Sequence, residues 1–374
     1  MKRIVFLSGT RADFGKIKSL IQILKDHPTF EPHIFVTGMH LDKQYGYTVL
    51  EIEKSGFQNI HTFENTTCET TMDLTLAKTI QGFSSYVNAL KPDLIVVHGD
   101  RVEALAGAIV GSLNNTLVAH IEGGEISGTI DELIRHSVSK MSHLHFVSNQ
   151  EAASRLLQMG EIPESIKIIG SPDVDIMFSD KLPGLQEAKA YYDIPFQQYA
   201  IAMFHPVTTE IDKIEQYASQ FVTALLKSND HFLVVYPNND LGSQKILKAY
   251  QQLENHPKFR ILPSLRFEYF LVLLKNAQYM IGNSSAGVRE APYYNLPAIN
   301  IGTRQQNRGK SNTQINCNYT TEAILDNIQK AKLMNTKNEN INFGAGKSAQ
   351  LFLETLQNQD IWQLSAQKQF RDIN

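Results

Sequence analysis

The sequence contains Leu94-Ile95-Val96-Val97-His98-Gly99-Asp100-Arg101, in which four apolar residues lead directly into a polar turn. Short apolar runs of this kind recur along the first half of the chain, with longer amphipathic stretches between them. This alternation is typical of parallel strands joined by helices. The runs of this first series are Ile4 to Leu7, His33 to Val36, Leu94 to Val97, Leu117 to Ile121, His145 to Val147 and Ile166 to Ile169.

A second series of apolar runs predicts a second α/β domain. With 374 residues, 42% of them hydrophobic, the chain is long enough for two globular domains. Prolines and turn formers between Gly170 and Pro195 predict the linker between them. The runs of the second series are Tyr199 to Met203, Phe232 to Val235, Phe259 to Leu262, Tyr279 to Ile281 and Ala298 to Ile301.

The end of the chain alternates apolar and polar residues at helical spacing. We therefore expect one domain over residues 1–178, another over 179–345, and helices over 346–374 that return toward the first domain. Trp362, Leu364 and Phe370 are the apolar side chains expected to pack there.

Charge and composition narrow the class of protein. A net charge of -3 gives no electrostatic reason to expect nucleic acid or an anionic membrane as partner. No apolar run approaches the roughly 18 residues of a membrane span, so we expect a cytoplasmic protein. The only two cysteines, Cys68 and Cys317, are far apart in sequence and predict neither a disulfide nor a zinc site.

Two glycine-bearing turns are candidates for phosphate binding. Gly9 to Lys16 follows the first strand, and free N–H groups at the start of a helix suit an anion, to which Arg11 and Lys16 would add charge. An ordinary surface turn is the alternative, because the Walker and dinucleotide spacings are absent.

The second turn, Gly282 to Pro292, follows a strand of the second domain. Ser284 and Ser285 would contact a pyrophosphate, and Glu290 could accept hydrogen bonds from the ribose hydroxyls. The alternative is a well-capped helix, since serine and asparagine are favoured caps.

Polar residues also follow one strand in each domain. Asp100 comes after Leu94 to Val97, at the carboxyl edge of the sheet, where open α/β sheets bind ligands. Its alternative role is a helix cap. His205 occupies the corresponding strand end of the second domain and could face the same cleft, although a lone histidine there is otherwise structural.

A cluster of carboxylates lies where another strand meets a helix. Glu122 precedes two glycines, which indicate a tight turn or the close approach of a ligand, and Asp131 and Glu132 follow. Clustered carboxylates lose solvation, which favours acid/base chemistry. The alternative is that Asp131 with Arg135, and Glu132 with His136, are i, i+4 pairs on a solvated helix face.

Taken together, these motifs resemble the UDP-N-acetylglucosamine 2-epimerase family, in order and over nearly the whole chain. The resemblance implies the GT-B glycosyltransferase-like fold, two Rossmann-like domains with the substrate in the cleft between them. It also implies that Asp100, Glu122 and Asp131 are the catalytic carboxylates. The UDP part would contact Arg11, Lys16, His205, Ser284, Ser285 and Glu290.

The resemblance is closest to the hydrolysing branch. The non-hydrolysing branch has Ala-Gly after the glutamate equivalent to Glu122 and Pro-Glu-Glu in place of Ile130-Asp131-Glu132. The implied route is anti elimination of UDP to 2-acetamidoglucal, followed by syn addition of water. The products would be N-acetylmannosamine, which feeds sialic acid or capsule synthesis, and UDP.

Several readings stay open at this point. The substrate could be UDP-N-acetylglucosamine or a 2,4-diacetamido-6-deoxy sugar nucleotide, and the non-hydrolysing reaction is a further alternative. A GT-B glycosyltransferase or a non-catalytic sugar-nucleotide sensor would belong to other classes. We expect no cofactor, no metal, no nucleic acid or membrane partner, and a homo-oligomer, either dimer or tetramer.

Overall fold

The structure is a computed structural model that describes residues 1–66, 71–127, 129–306, 311–336 and 343–372. Its contacts divide the chain into two compact units. The N-terminal unit comprises Met1–Glu125, Asp131–Ser179 and Asn342–Asn374, and the C-terminal unit comprises Ile126–Ile130 and Asp180–Ile341. Cys68 lies outside the described residues, and Cys317 is a buried free thiol.

Each unit contains one parallel sheet. The strands of the N-terminal unit are β1 (Lys2–Ser8), β2 (Phe30–Val36), β3 (Ile60–Thr62), β4 (Leu94–His98), β5 (Leu117–Ile121), β6 (Leu144–Val147) and β7 (Ile166–Ile168). Those of the C-terminal unit are β8 (Ala200–Met203), β9 (Phe232–Val235), β10 (Phe259–Leu262), β11 (Met280–Gly282), β12 (Ala298–Ile301) and β13 (Gln314–Cys317).

Helices alternate with the strands. They are α1 (Arg11–Leu24), α2 (Val49–Lys54), α3 (Met72–Leu90), α4 (Val102–Leu113), α5 (Ile130–Met141), α6 (Gln150–Gln158), α7 (Pro172–Met177), α8 (Leu185–Tyr191), α9 (Ile214–Lys227), α10 (Ser243–Tyr250), α11 (Phe267–Lys275), α12 (Thr321–Leu333) and α13 (Ser348–Gln357). Among the described residues, no helix is long and apolar enough to cross a membrane.

The strand order in the two sheets follows one plan. It is β3-β2-β1-β4-β5-β6-β7 in the N-terminal unit and β10-β9-β8-β11-β12-β13 in the C-terminal unit. In both sheets the order reverses beside the first strand, which is the topological switch point of a Rossmann-like domain. Because β1, β4 and β5 are neighbours, the turns that follow them meet at one sheet edge.

Burial explains why the central strands could be predicted. Ile95, Val96 and Val97 of β4 are at most 1% exposed, as expected for a parallel sheet that is covered on both faces. Strands β3 and β13, which lie at sheet edges, are not predicted by the apolar runs. Both are short and partly polar, so they lack an apolar run.

The segment predicted as a linker contains regular structure. Helix α7 belongs to the N-terminal unit and α8 to the C-terminal unit, and the units divide between Ser179 and Asp180. Pro172 begins α7, where its missing N–H and fixed φ suit the first helical turn. The prolines of this segment therefore indicate both the start of a helix and the passage of the chain from one unit to the other.

The closing segment packs within the N-terminal unit. Phe352 of α13 is fully buried, with its ring 4.8 Å from that of Phe146. Trp362 and Leu364 pack against the same core. The expectation for Phe370 is wrong, because that side chain is 88% exposed.

Candidate active site

The turn after β1 is fixed by its own side chains. Thr10 caps α1 by accepting a hydrogen bond from the Asp13 backbone N–H at 3.1 Å. Asp13 in turn accepts from the Gly9 N–H through Oδ2 at 2.9 Å. This reciprocal arrangement is a variant of the capping box, and it fixes the Asp13 carboxylate beside the sheet edge.

The two cations predicted to bind phosphate both have carboxylate partners within the N-terminal unit. Arg11 contacts Glu51, and the Arg11 side chain is 15% exposed. Lys16 Nζ lies 3.4 Å from Asp173 Oδ2, with the two side chains 10% and 2% exposed. Their assignment to UDP stays a prediction.

At the end of β4, His98 lies between two carboxylates. Its Nδ1 is 3.1 Å from Asp13 Oδ1, and its Nε2 is 3.2 Å from Glu122 Oε2. Burial by itself would lower the pKa of His98, but the carboxylates of Glu122 and Asp13 outweigh that effect and raise it to about 9. The two carboxylates thus favour the imidazolium form of the ring at neutral pH.

Glu122 follows β5 directly and is only 3% exposed. Its backbone adopts a positive φ of 63°, which is uncommon for a residue other than glycine. The Glu122 carboxylate accepts a hydrogen bond from the Ser171 hydroxyl. An acidic residue held in a strained conformation by several partners is typical of functional sites.

The two glycines after Glu122 lie against other residues of the protein, which leave no space for a side chain at either position. A Cβ at Gly123 would come within 2.8 Å of His120 Nδ1 and Ser139 Oγ. Gly124 has a positive φ of 73°, and a Cβ there would overlap the Ala152 carbonyl. Of the two readings left open by the sequence, the structure therefore supports the tight turn.

The side chain of His120, the residue two positions before Glu122, is neutral and links the turn after β4 to β5. Its Nε2 lies 2.8 Å from the Gly99 carbonyl and its Nδ1 2.9 Å from Ser139 Oγ. Burial is the main reason that its pKa falls to about 3. Because a carbonyl can only accept, Nε2 carries the proton and the ring ties the turn after β4 to β5.

Asp100 is held by a buried arginine. Arg135 of α5 is 1% exposed, and its guanidinium contacts the Asp100 carboxylate and donates to the Glu125 carbonyl at 3.2 Å. Arg135 is therefore not on a solvated helix face, and that alternative is wrong for this residue. The Asp100 side chain keeps 20% of its surface exposed.

The other acidic residues of α5 differ in environment. Asp131 lies in the first turn of the helix and is partly exposed. Glu132 Oε1 lies 3.7 Å from His136 Nε2, with both side chains about one third exposed. The i, i+4 surface pair predicted for Glu132 and His136 is therefore confirmed.

In the C-terminal unit, His205 lies just beyond β8 in a network of amides. Asn283 accepts from the His205 N–H at 2.6 Å and donates to its carbonyl at 2.8 Å. The Asn238 N–H donates to His205 Nδ1 at 3.0 Å, which fixes the side of the ring that faces Asn238. The ring is 9% exposed and fixed in orientation.

The turn after β11 does not lead directly into a long helix, although the N-terminus of such a helix would favour pyrophosphate binding. A 3-10 turn, Ser285–Gly287, follows Ser284, whose hydroxyl accepts from the Ala286 N–H at 3.3 Å. Gly282 has a φ of 136°, and a Cβ there would overlap the Met203 carbonyl. Ser284 and Ser285 are partly exposed, whereas Glu290 is 3% exposed.

Sequence reasoning missed four residues that hold the carboxylates in place. Ser171 falls in the predicted linker, and Arg135 enters the sequence analysis only in the alternative of a solvated helix face. Asp13 and His98 were quoted within motifs without a role, although their position at the ends of neighbouring strands was a usable signal. No group of three His, Cys, Asp or Glu side chains among the described residues is placed to hold a metal.

Two Rossmann-like domains, each with a polar edge at its topological switch point, define the GT-B class of fold. Residues 22–357 match the family model described as UDP-N-acetylglucosamine 2-epimerase. The chain belongs to this family, which confirms the family and the fold predicted from the motifs.

Three similar proteins illustrate the relationship. The UDP-N-acetylglucosamine 2-epimerase of Neisseria meningitidis serogroup B is 48% identical over 377 residues, covering 100% of both chains. The hydrolysing UDP-N,N'-diacetylbacillosamine 2-epimerase of Legionella pneumophila is 34% identical, covering 88% of this chain and 89% of the relative. The crystal structure of the Methanocaldococcus jannaschii UDP-GlcNAc 2-epimerase in complex with UDP-GlcNAc and UDP has a TM-score of 0.79 at 21% identity, covering 95% and 99% of the two chains.

Proposed function

We propose that the protein is a hydrolysing UDP-N-acetylglucosamine 2-epimerase, which converts UDP-N-acetylglucosamine and water to N-acetylmannosamine and UDP. The observation that carries the proposal is the pair of carboxylates, Asp100 and Glu122, at the ends of neighbouring strands β4 and β5. Each is held by a buried cationic side chain, Arg135 or His98. The full-length similarity to the Neisseria protein supports the choice of substrate.

The chemistry explains why at least two carboxylates are needed. The C2 proton of the sugar is not adjacent to a ring carbonyl, so its removal must be coupled to breaking of the C1–O bond to UDP. A base takes the C2 proton while UDP leaves with the bonding electrons, which gives 2-acetamidoglucal. Water then adds to C1, and an acid returns a proton to C2 from the other face.

We assign these roles collectively to Asp100, Glu122 and Asp131. Glu122 is buried and Asp100 and Asp131 are partly exposed, so the three carboxylates occupy different environments. Different environments shift the pKa values of carboxyl groups apart, so that one can act as an acid and another as a base at the same pH. Arg11, Lys16, His205, Ser284, Ser285 and Glu290 are proposed to bind the UDP part and to stabilise its departure.

Hydrolysis, as opposed to reversible epimerisation, is favoured by the sequence around the carboxylates. Glu122 is followed by Gly123-Gly124, and Asp131 stands in Ile130-Asp131-Glu132, which departs from the pattern of the non-hydrolysing branch. N-acetylmannosamine would then serve sialic acid or capsule synthesis. We further propose that the enzyme acts in the cytoplasm as a homo-oligomer.

The similarity to the Legionella protein favours one second candidate, a 2,4-diacetamido-2,4,6-trideoxy sugar nucleotide. A competition experiment separates the two substrates. The purified protein is given both sugar nucleotides at equal concentration, without NAD or a sugar acceptor, and products are followed by NMR. We expect free N-acetylmannosamine and UDP to form first.

Other products would contradict the proposal in distinct ways. Preferential turnover of the diacetamido sugar would move the protein to the second candidate. UDP-N-acetylmannosamine as a stable end product would indicate the non-hydrolysing reaction. Turnover that depends on an added acceptor would indicate a glycosyltransferase.

A further inference from the structure

The Asp13, His98 and Glu122 side chains form a buried row at the edge of the N-terminal sheet. They come from the first turn of α1, the end of β4 and the residue after β5, so three adjacent strands place them. The His98 ring nitrogens are 3.1 and 3.2 Å from the two carboxylates. The three side chains are 12%, 9% and 4% exposed, in that order.

The two ends of this row are anchored differently. Asp13 is locked by the cap of α1, because its second oxygen accepts from the Gly9 N–H and its own N–H donates to Thr10. Glu122 receives a hydrogen bond from the Ser171 hydroxyl through Oε1, and its Oε2 faces His98. Asp13 can therefore fix the ring, and the ring can fix Glu122.

Charge balance favours a cation between the two carboxylates. Two like charges on either side of one ring would repel each other at low dielectric unless the ring is protonated. Its neighbour His120 is kept neutral by burial, so it does not supply the charge. With both ring nitrogens facing carboxylates, His98 has no lone pair with which to act as a base itself.

We propose that His98 is a positioning residue, which holds the Glu122 carboxylate ionised and correctly oriented for proton transfer at C2, with Asp13 as the counter-ion that fixes the ring. This inference rests on the proposed function, because it assigns Glu122 to the reaction. It adds a supporting pair that acts through Glu122 without touching the substrate.

Kinetics of His98→Gln, Glu122→Gln and the double variant test this role. We expect His98→Gln to lower kcat about 10²-fold, because displacement of a catalytic group by an ångström has an effect of that size, with KM changed only a few-fold. The ionisation of Glu122 in the pH–rate profile should move to higher pH, because the carboxylate has lost its cation. In the Glu122→Gln background, His98→Gln should have about 3-fold further effect at most.

Two kinetic results would overturn the proposal. One is a His98→Gln variant with the wild-type rate and pH profile. The other is a full additional loss of about 10²-fold in the double variant, since independent effects multiply and would mean that His98 acts directly. UDP affinity, measured by calorimetry, serves to show that each variant is folded.

A measurement without substrate separates this inference from the proposed function. NMR of ¹⁵N-labelled histidine rings, with His98 assigned by loss of its signal in His98→Gln, reports the protonation of each nitrogen. At pH 7.5 we expect both His98 nitrogens to be protonated. In Asp13→Asn the pH at which the His98 ring loses its proton should be lower. Asp93→Asn, which removes a surface ion pair with Lys2, is the matched control and should leave the titration of His98 unchanged.

A neutral His98 ring at pH 7.5 would overturn the proposal even if the enzyme is active. A protonated ring in a protein that does not turn over UDP-N-acetylglucosamine would leave the row intact and contradict the proposed function alone.

Discussion

The two units share one topology but carry different side chains at the corresponding edge of their sheets. In the N-terminal unit the turns after β1, β4 and β5 carry buried ionic pairs, Asp13 and Glu122 with His98 and Asp100 with Arg135. In the C-terminal unit the turns after β8 and β11 carry amides and hydroxyls, with His205 held by hydrogen bonds to Asn283, and the second turn also contains two buried charged residues, Arg289 and Glu290.

This difference indicates a division of labour. Carboxylates with buried cationic partners can be held ionised away from water, as proton transfer to or from carbon requires. Neutral donors fixed to the backbone can stabilise a diphosphate without carrying a net charge. We therefore expect substitutions of the N-terminal carboxylates and their cationic partners to affect turnover, and substitutions of the polar groups after β8 and β11 to affect nucleotide binding.

The largest expected effect is on turnover. Asp100→Asn, Glu122→Gln and Asp131→Asn should each lower kcat by about 10²- to 10⁴-fold while keeping UDP affinity, because an amide cannot exchange a proton at neutral pH. If elimination and hydration use different carboxylates, some variants should release 2-acetamidoglucal. Steady-state kinetics with product analysis measure both.

Glu132→Gln is the matched control, since this carboxylate lies in the same helical turn as Asp131 but forms a surface pair with His136. It should retain the wild-type rate. Near-normal turnover by all three test variants would show that the carboxylates are structural and would remove the contrast between the units.

A second effect concerns stability against pH. The pKa of His98 is raised to about 9 in the folded protein, above the ordinary value of 6.5, so its stabilisation is complete below pH 6.5 and is lost as pH rises through 9. The shift corresponds to about 3 kcal/mol at most. In urea unfolding, the excess stability of wild type over His98→Gln should therefore shrink between pH 6.5 and 9, and a constant difference would contradict an imidazolium at this position.

The smallest effect concerns nucleotide binding. Ser285→Ala and Arg11→Ala should each weaken UDP binding by about 1 to 3 kcal/mol, the usual size of a lost charge-assisted contact. Calorimetric titration with UDP measures it. Ser137→Ala and Arg260→Ala remove a surface hydroxyl and a partly exposed guanidinium and should leave the affinity unchanged. Equal affinity in the test variants would remove their phosphate assignments.

The sequence predicts the central strands and the positions of the polar turns because both depend on local patterns. Ile95 to Val97 are buried on both faces of the sheet, so they appear as an uninterrupted apolar run. The pair of Glu132 and His136 could likewise be predicted, because one helical turn brings the two residues together.

What could not be predicted depends on contacts between residues far apart in sequence. Arg135 has a partner 35 positions away in Asp100, and Ser171 lies 49 positions from Glu122. The same limit explains the missed edge strands β3 and β13, which are defined by backbone pairing with a neighbour rather than by apolar side chains. The alternative reading of the turn after Gly282, a capped helix, also fails locally, because a 3-10 turn follows Ser284.

The reaction in deuterated water tests the central claim most directly. Wild-type protein is incubated with UDP-N-acetylglucosamine in D₂O, and the product sugar is analysed by proton NMR. Elimination followed by hydration predicts N-acetylmannosamine with deuterium at C2 and one equivalent of UDP, since the C2 proton is exchanged while the double bond exists. N-acetylmannosamine that retains the original C2 hydrogen, or release of N-acetylglucosamine by simple hydrolysis, would contradict it.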